Sequence, residues 1–125
     1  AKDFAVEDSI VFAGQQKNMD QFYRQASFFC MSSRFEGLPM ALLEAQSYGL
    51  PIVAFDCDTG PAEIIDHNIS GLLVAPENIN GLINSLLELI NLSNIKYEQM
   101  SSNAVKNSVR YSVNSILKQW LSIIK

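Results

Sequence analysis

Only one histidine, two cysteines and nine lysines and arginines occur among 125 residues, and each scarcity removes a class of function. His67 precedes Asn68 with no Cys or His companion nearby, so it reads as a surface residue and not as a metal ligand. Cys30 falls within an apolar run and Cys57 just after another. With no cysteine framework around them, both read as reduced thiols of a cytoplasmic protein. The net charge is −4 and the cations are scattered. A nucleic-acid partner needs clustered Lys and Arg to displace phosphate counterions, so that class is excluded. A nucleotide needs only local donors and is not. No apolar run approaches the ~18 residues of a membrane span, and no signal peptide opens the sequence. Without an export signal, Asn68-Ile69-Ser70 and Asn91-Leu92-Ser93 read as chance matches to the glycosylation pattern. Repeats, linkers and low-complexity tracts are absent.

What is present is 48% hydrophobic and 18% charged residues, the balance of one α/β domain. A chain of this length buries about two thirds of its unfolded surface. The stretch that organises it runs from Ser32 to Pro51. Phe28-Phe29-Cys30-Met31 before it reads as a buried strand of a parallel sheet. Pro39 stands at a plausible first helical position, and the helix ends at Gly49 before Pro51. Ile52-Val53-Ala54-Phe55 reads as the next strand, which completes a βαβ unit. In such sheets ligands bind at the carboxyl ends of strands, against helix N-termini.

Two carboxylates mark this unit, Glu36 in the loop and Glu44 on the helix, with seven residues between them. The helix is apolar nearly all round and is therefore expected to be buried, which leaves Glu44 out of place. A carboxylate taken from water needs partners. A lone Glu in that position is more often structural; the pairing with Glu36 and the Gly37 and Pro39 punctuation favour a site. Free N–H groups at Gly37, Leu38 and Met40 would attract phosphate, whereas a carboxylate accepts hydrogen bonds from adjacent hydroxyls. The combination suits a molecule with both phosphates and sugar hydroxyls.

Elsewhere, Ile10-Val11-Phe12-Ala13 reads as a short strand and Met19 to Gln25 as a helix with Phe22 and Tyr23 inward. Lys17 and Asn18 would then lie at a strand's carboxyl end. Arg34 is the best cation for a diphosphate, with an ion pair to a nearby acid almost as good a reading. Thr59 reads as the cap of a short helix, and Gly60 with Pro61 offers a second phosphate neighbour. Gly71-Leu72-Leu73-Val74 reads as the last strand. Leu82, Ile83, Leu86, Leu87 and Ile90 predict the core face of a helix, and Tyr97, Met100, Ala104 and Val105 that of the next. Ser112 can cap a last helix. Its stripe of Ile116, Leu117, Trp120, Leu121 and Ile124 packs on this sheet or on a neighbour outside it.

The run S-S-R-F-E-G-L-P-M-A-L-L-E-A, with G-L-P-I-V-A-F-D and G-P-A-E-I-I after it, resembles the donor-site signature of family-4 glycosyltransferases. The similarity extends from about Val11 to Trp120. It implies the GT-B architecture of two Rossmann-like domains and a retaining, metal-independent transfer of a hexose from a nucleoside-diphosphate sugar. Residues 1–125 would be most of the C-terminal, nucleotide-sugar-binding domain, a Rossmann-like parallel sheet with flanking helices, truncated at its N-terminus. By the resemblance, Glu44 holds the donor's ribose hydroxyls and Glu36, the catalytic candidate, lies beside the donor sugar. The Gly37-Leu38-Pro39 backbone, with Met40, faces sugar and diphosphate, and Arg34, Lys17 and Gly60 join the donor-binding set. A saccharide or lipid-linked acceptor would be held through a missing N-terminal domain, with the protein cytoplasmic or at the inner face of the membrane. The family's further strand, Gly-rich loop and basic residues have no counterpart before Ile10, so the chain alone is expected to be inactive. Asp56-Cys57-Asp58 matches the Asp-x-Asp of the GT-A fold, but the motif is tiny and the local helix start explains it. A non-catalytic nucleotide-binding or interaction domain of the same fold is the alternative. A phosphoacceptor receiver domain is excluded, since its acidic pair after the first strand is lacking.

Overall fold

The computed structural model describes residues 2–124. Three strands, β1 (Phe29–Met31), β2 (Ile52–Phe55) and β3 (Gly71–Val74), form a parallel sheet in the order β1-β2-β3. Phe29 pairs with Ile52, and Ile52 in turn with Gly71. Among the described residues the α-helices are α1 (Asp20–Gln25), α2 (Met40–Ser47), α3 (Pro61–Ile64), α4 (Ile79–Ile90), α5 (Asn94–Val109) and α6 (Val113–Ile124). β2 is buried along its whole length, as a central parallel strand covered on both faces must be. One core cluster joins Tyr23, Leu42, Ala45, Ile52, Ala54 and Ile64. The other joins Val53, Phe55, Leu72, Val74, Leu89 and Met100. Alternate residues of β2 thus serve opposite faces. Each fully buried aliphatic side chain contributes about 1.5–3 kcal/mol.

Residues 10–13 correct the sequence reading. They form no strand, and Val11 and Phe12 are 87% and 89% exposed. An apolar run becomes a strand only where a neighbour takes up its backbone N–H and C=O groups, and here none does. The face of α4 is also turned. Leu82, Leu86 and Leu89 meet the sheet, while Ile83, Leu87 and Ile90 are exposed. In α5, Met100 and Ala104 are inward as expected but Val105 is exposed. Ser112 does cap α6, accepting from the Ser115 N–H at 3.3 Å. The apolar stripe of α6 does not pack on this sheet: Ile116, Leu117, Trp120, Leu121 and Ile124 are all exposed.

A buried polar junction locks α2 in place. Gln46 Nε2 donates to Ser70 Oγ at 3.1 Å, Asn107 Nδ2 donates to Gln46 Oε1 at 3.1 Å, and Ser70 Oγ accepts from the Asp66 N–H at 3.0 Å. The helix that carries Glu44 is thereby tied to the turn before β3 and to α5. At its far end Gly49, with φ 73°, turns the chain out of the helix toward β2.

Candidate functional site

The loop between β1 and α2 lies at the carboxyl end of β1, where a parallel sheet presents its ligands. Pro39 is the residue before the helix and Met40 the first within it, one position later than the sequence suggested. Among the described residues, the N–H groups of Gly37, Leu38 and Met40 make no backbone hydrogen bond. These donors sit at the N-terminus of an eight-residue helix, which favours an anion.

Two contacts from the loop after β2 hold this one. Thr59 Oγ1 donates to the Glu36 carbonyl oxygen. Thr59 is therefore not the cap of α3, as its sequence position implied; Gly60 is, without a side-chain cap. Gly60 lies against the Gly37 carbonyl and the Pro39 ring at φ 98°, and a Cβ there would stand 2.6 Å from Pro39 Cδ. Because α3 has only four residues, its N-terminus is no anion site in its own right. Gly60 works by close backbone approach instead. Gly60→Ala is expected to lower stability by about 1–3 kcal/mol through the positive φ alone and to displace the Glu36–Pro39 loop. Thermal melting together with amide shifts of Gly37 and Leu38 checks this; an unshifted loop would mean that Gly60 does not shape it.

Glu36 is half-buried and Glu44 is exposed. The expected burial of α2 is thus corrected. Leu42, Ala45 and Gln46 face the core, while Met40, Glu44, Ser47 and Tyr48 form an open face. Glu44 Oε2 accepts a hydrogen bond from the Tyr23 hydroxyl at 3.0 Å. Tyr23 is buried, its ring stacked on Tyr48 with centroids 5.2 Å apart and tilted against Phe29 at 6.1 Å. Burial, and then its bond to Glu44, push the Tyr23 hydroxyl up to about 12. Tyr48 donates to Asp20 Oδ1 at 2.5 Å, and Arg24 Nε donates to Asp20 Oδ2 at 2.8 Å. These two donors, Arg24 first, hold the Asp20 carboxyl below its usual range.

Arg34 forms an ion pair with Glu77 at 3.3 Å, both exposed. The pair lines a cavity of 460 Å³ with Ser32, Phe55, Ile79 and Leu82, so it stands at the carboxyl ends of the sheet. Lys17 is exposed in its loop and takes part in none of the three ion pairs among the described residues. The structure thus brings Glu36, Gly37, Leu38, Pro39, Met40 and Gly60 together, sets Glu44 on the open face of α2, and ties Arg34 to an acid. Tyr23 and Glu77 were missed. The inward side of α1 was legible for Tyr23, but its hydroxyl's reach to α2 was not. Glu77, at φ 60°, follows Pro76 in the loop after β3, where nothing in the sequence pointed to an ion pair. Cys30 and Cys57 are both free. Among the described residues no three His, Cys, Asp or Glu side chains cluster as metal ligands, and no helix is long and apolar enough to cross a membrane.

Residues 1–107 match the family model described as glycosyl transferases group 1. An uncharacterised glycosyltransferase of Haemophilus influenzae is 35% identical over 99% of this chain and 35% of its own length. The amylovoran biosynthesis glycosyltransferase AmsD of Erwinia amylovora is 37% identical over 98% of this chain and 34% of its own. The chain spans about a third of the length of these relatives. Among solved structures, a variant of S. aureus TarM in complex with fondaparinux, alpha-GlcNAc-glycerol and UDP superposes with a TM-score of 0.87. It is 29% identical, over 97% of this chain and 24% of that one.

Proposed function

This chain belongs to the glycosyl transferases group 1 family, and on that premise we propose that it is the donor-binding part of a retaining glycosyltransferase of the family-4 type. It moves a hexose from a nucleoside-diphosphate sugar to a saccharide or lipid-linked acceptor, which a further domain of the full-length transferase holds. The observation that carries this reading is the loop Glu36–Met40: free N–H groups at a helix N-terminus, a carboxylate at the loop's tip, and a second carboxylate on the open face of the same helix. UDP in the TarM complex supports the choice of ligand class.

In the mechanism so read, the N–H groups of Gly37, Leu38 and Met40 take the charge that builds on the departing diphosphate. Arg34 joins them by exchanging Glu77 for phosphate, an easy exchange because surface ion pairs contribute only about 0–1 kcal/mol. Lys17 is the outlying member of the set. Glu36 faces the sugar, where its negative charge opposes the positive charge developing at the ring. Glu44 accepts from the ribose hydroxyls. Phe35, Leu38 and Met40, all exposed, give the rim an apolar surface for the sugar or the acceptor side to cover. The reading assigns no metal ion, since N–H groups and a guanidinium serve the diphosphate.

The test is a transfer assay on the full-length transferase with a panel of UDP sugars, alongside UDP titration followed by backbone amide shifts. One donor should be consumed with its anomeric configuration kept, and the amides of Gly37 to Met40 should shift. This chain alone should turn over nothing, because donor and acceptor must be held together for proximity to contribute. Nucleotide binding without any transfer or donor hydrolysis would favour the non-catalytic domain. Binding that leaves those amides unmoved would end the site assignment.

A further inference from the structure

We propose that Tyr23 is a positioning residue for Glu44: its hydroxyl holds one carboxylate oxygen so that the other faces the nucleotide. The inference rests on the reading that Glu44 receives ribose hydroxyls. Glu44 stands on an open helix face, where a long side chain would otherwise sample several rotamers and lose that freedom on binding. The one side-chain partner it has among the described residues is the Tyr23 hydroxyl, at 3.0 Å. A carboxylate offers about four acceptor sites on two oxygens, so one phenolic donor fixes its direction and leaves ample capacity for a diol.

The chemistry of the partner matters. An Arg or Lys in place of Tyr23 would bring a countercharge and weaken the carboxylate as an acceptor. The nearby cation, Arg24, is instead drawn off by Asp20 at 2.8 Å and lies over the Tyr48 ring at 5.4 Å. Glu44 is therefore held by a neutral donor and takes part in none of the ion pairs among the described residues. Tyr23 itself has little freedom. It is 6% exposed, caught between Phe29 on β1 and Tyr48 at the end of α2, and the Tyr48 hydroxyl is anchored to Asp20. With its hydroxyl pushed up to about 12, it remains a donor across the physiological range. The order of support runs from α1 and β1, through two stacked rings, to one oxygen of Glu44.

Tyr23→Phe keeps the ring and removes only the donor. In the full-length transferase it should raise the dissociation constant of UDP and the donor KM by roughly three- to tenfold, the upper figure being about 1.4 kcal/mol. kcat should stay within about twofold, since the hydroxyl acts on ground-state and transition-state binding alike. The melting temperature should stay near wild type. The deciding measurement is UDP titration of Tyr23→Phe in the Glu44→Ala background, where the substitution should have no further effect. If Tyr23→Phe weakens UDP binding equally in both backgrounds, Tyr23 acts through the fold and the proposal is overturned. It is also overturned if Tyr23→Phe binds UDP like wild type while Glu44→Ala does not; the reading of Glu44 then survives. If Glu44→Ala itself binds UDP like wild type, the reading of Glu44 fails and takes the proposal with it.

Discussion

Glu36→Ala is expected to lower kcat of the full-length transferase by about 10²–10³-fold, the range seen when one preorganised electrostatic partner of a transition state is removed. UDP affinity should stay within about threefold. The side chain is half-buried at the tip of a loop held at two points, by Thr59 on the Glu36 carbonyl and by Gly60 beneath Gly37 and Pro39. Holding the loop at two points lowers the reorganisation needed when charge develops, which is what makes a fixed carboxylate effective. UDP lacks the sugar, so it offers Glu36 nothing to stabilise, and its affinity is the control. Glu36→Gln keeps the shape but not the charge and should recover little of the loss. A donor KM that rises while kcat holds would show Glu36 to be a ground-state binder.

The three strands were legible because each is a short apolar run, with Gly49 and Pro51 before β2 and Pro76 after β3. β2 is buried along its whole length, but Cys30 on the edge strand β1 is exposed, against the buried strand expected there. Ile10-Val11-Phe12-Ala13 has the same composition and is no strand, because composition does not report whether a neighbour is there to bond with. Helix α4 shows a second limit. Ile83, Leu87 and Ile90 make as good a stripe as Leu82, Leu86 and Leu89, offset by one residue. Periodicity alone does not choose between the two; the sheet does, with Leu89 fully buried against it. Glu44 was placed correctly on its helix and wrongly in its burial, since eight residues leave one side of α2 open. The loop and the helix start were readable from Gly37 and Pro39, with the helix beginning one residue later than expected. The pairings Arg34 with Glu77 and Tyr23 with Glu44 were not, because they join residues far apart in sequence that share no helical or strand period.

That last pairing sharpens what losing Glu44 should do. Glu44→Ala is expected to raise the dissociation constant of UDP by roughly 10- to 100-fold in the full-length transferase, equivalent to a charge-assisted hydrogen bond of about 1.5–3 kcal/mol. The ribose contact is made before, during and after transfer, so donor binding should suffer far more than kcat. Glu44→Gln should recover only part of the affinity, because its amide oxygen accepts less strongly than a carboxylate and its NH₂ does not accept at all. The bland explanation, that Glu44 merely braces α1 against α2 through Tyr23, makes a different forecast. Bracing would be lost as stability, at about 1 kcal/mol for a single partly buried hydrogen bond, with UDP binding intact. Exposed as it is, Glu44 leaves no cavity behind when truncated, so the two losses separate cleanly. Isothermal titration with UDP and a thermal melt on the same sample decide between them. A weakened titration with a near-native melt assigns Glu44 to the nucleotide, whereas a native titration with a lowered melt makes it structural.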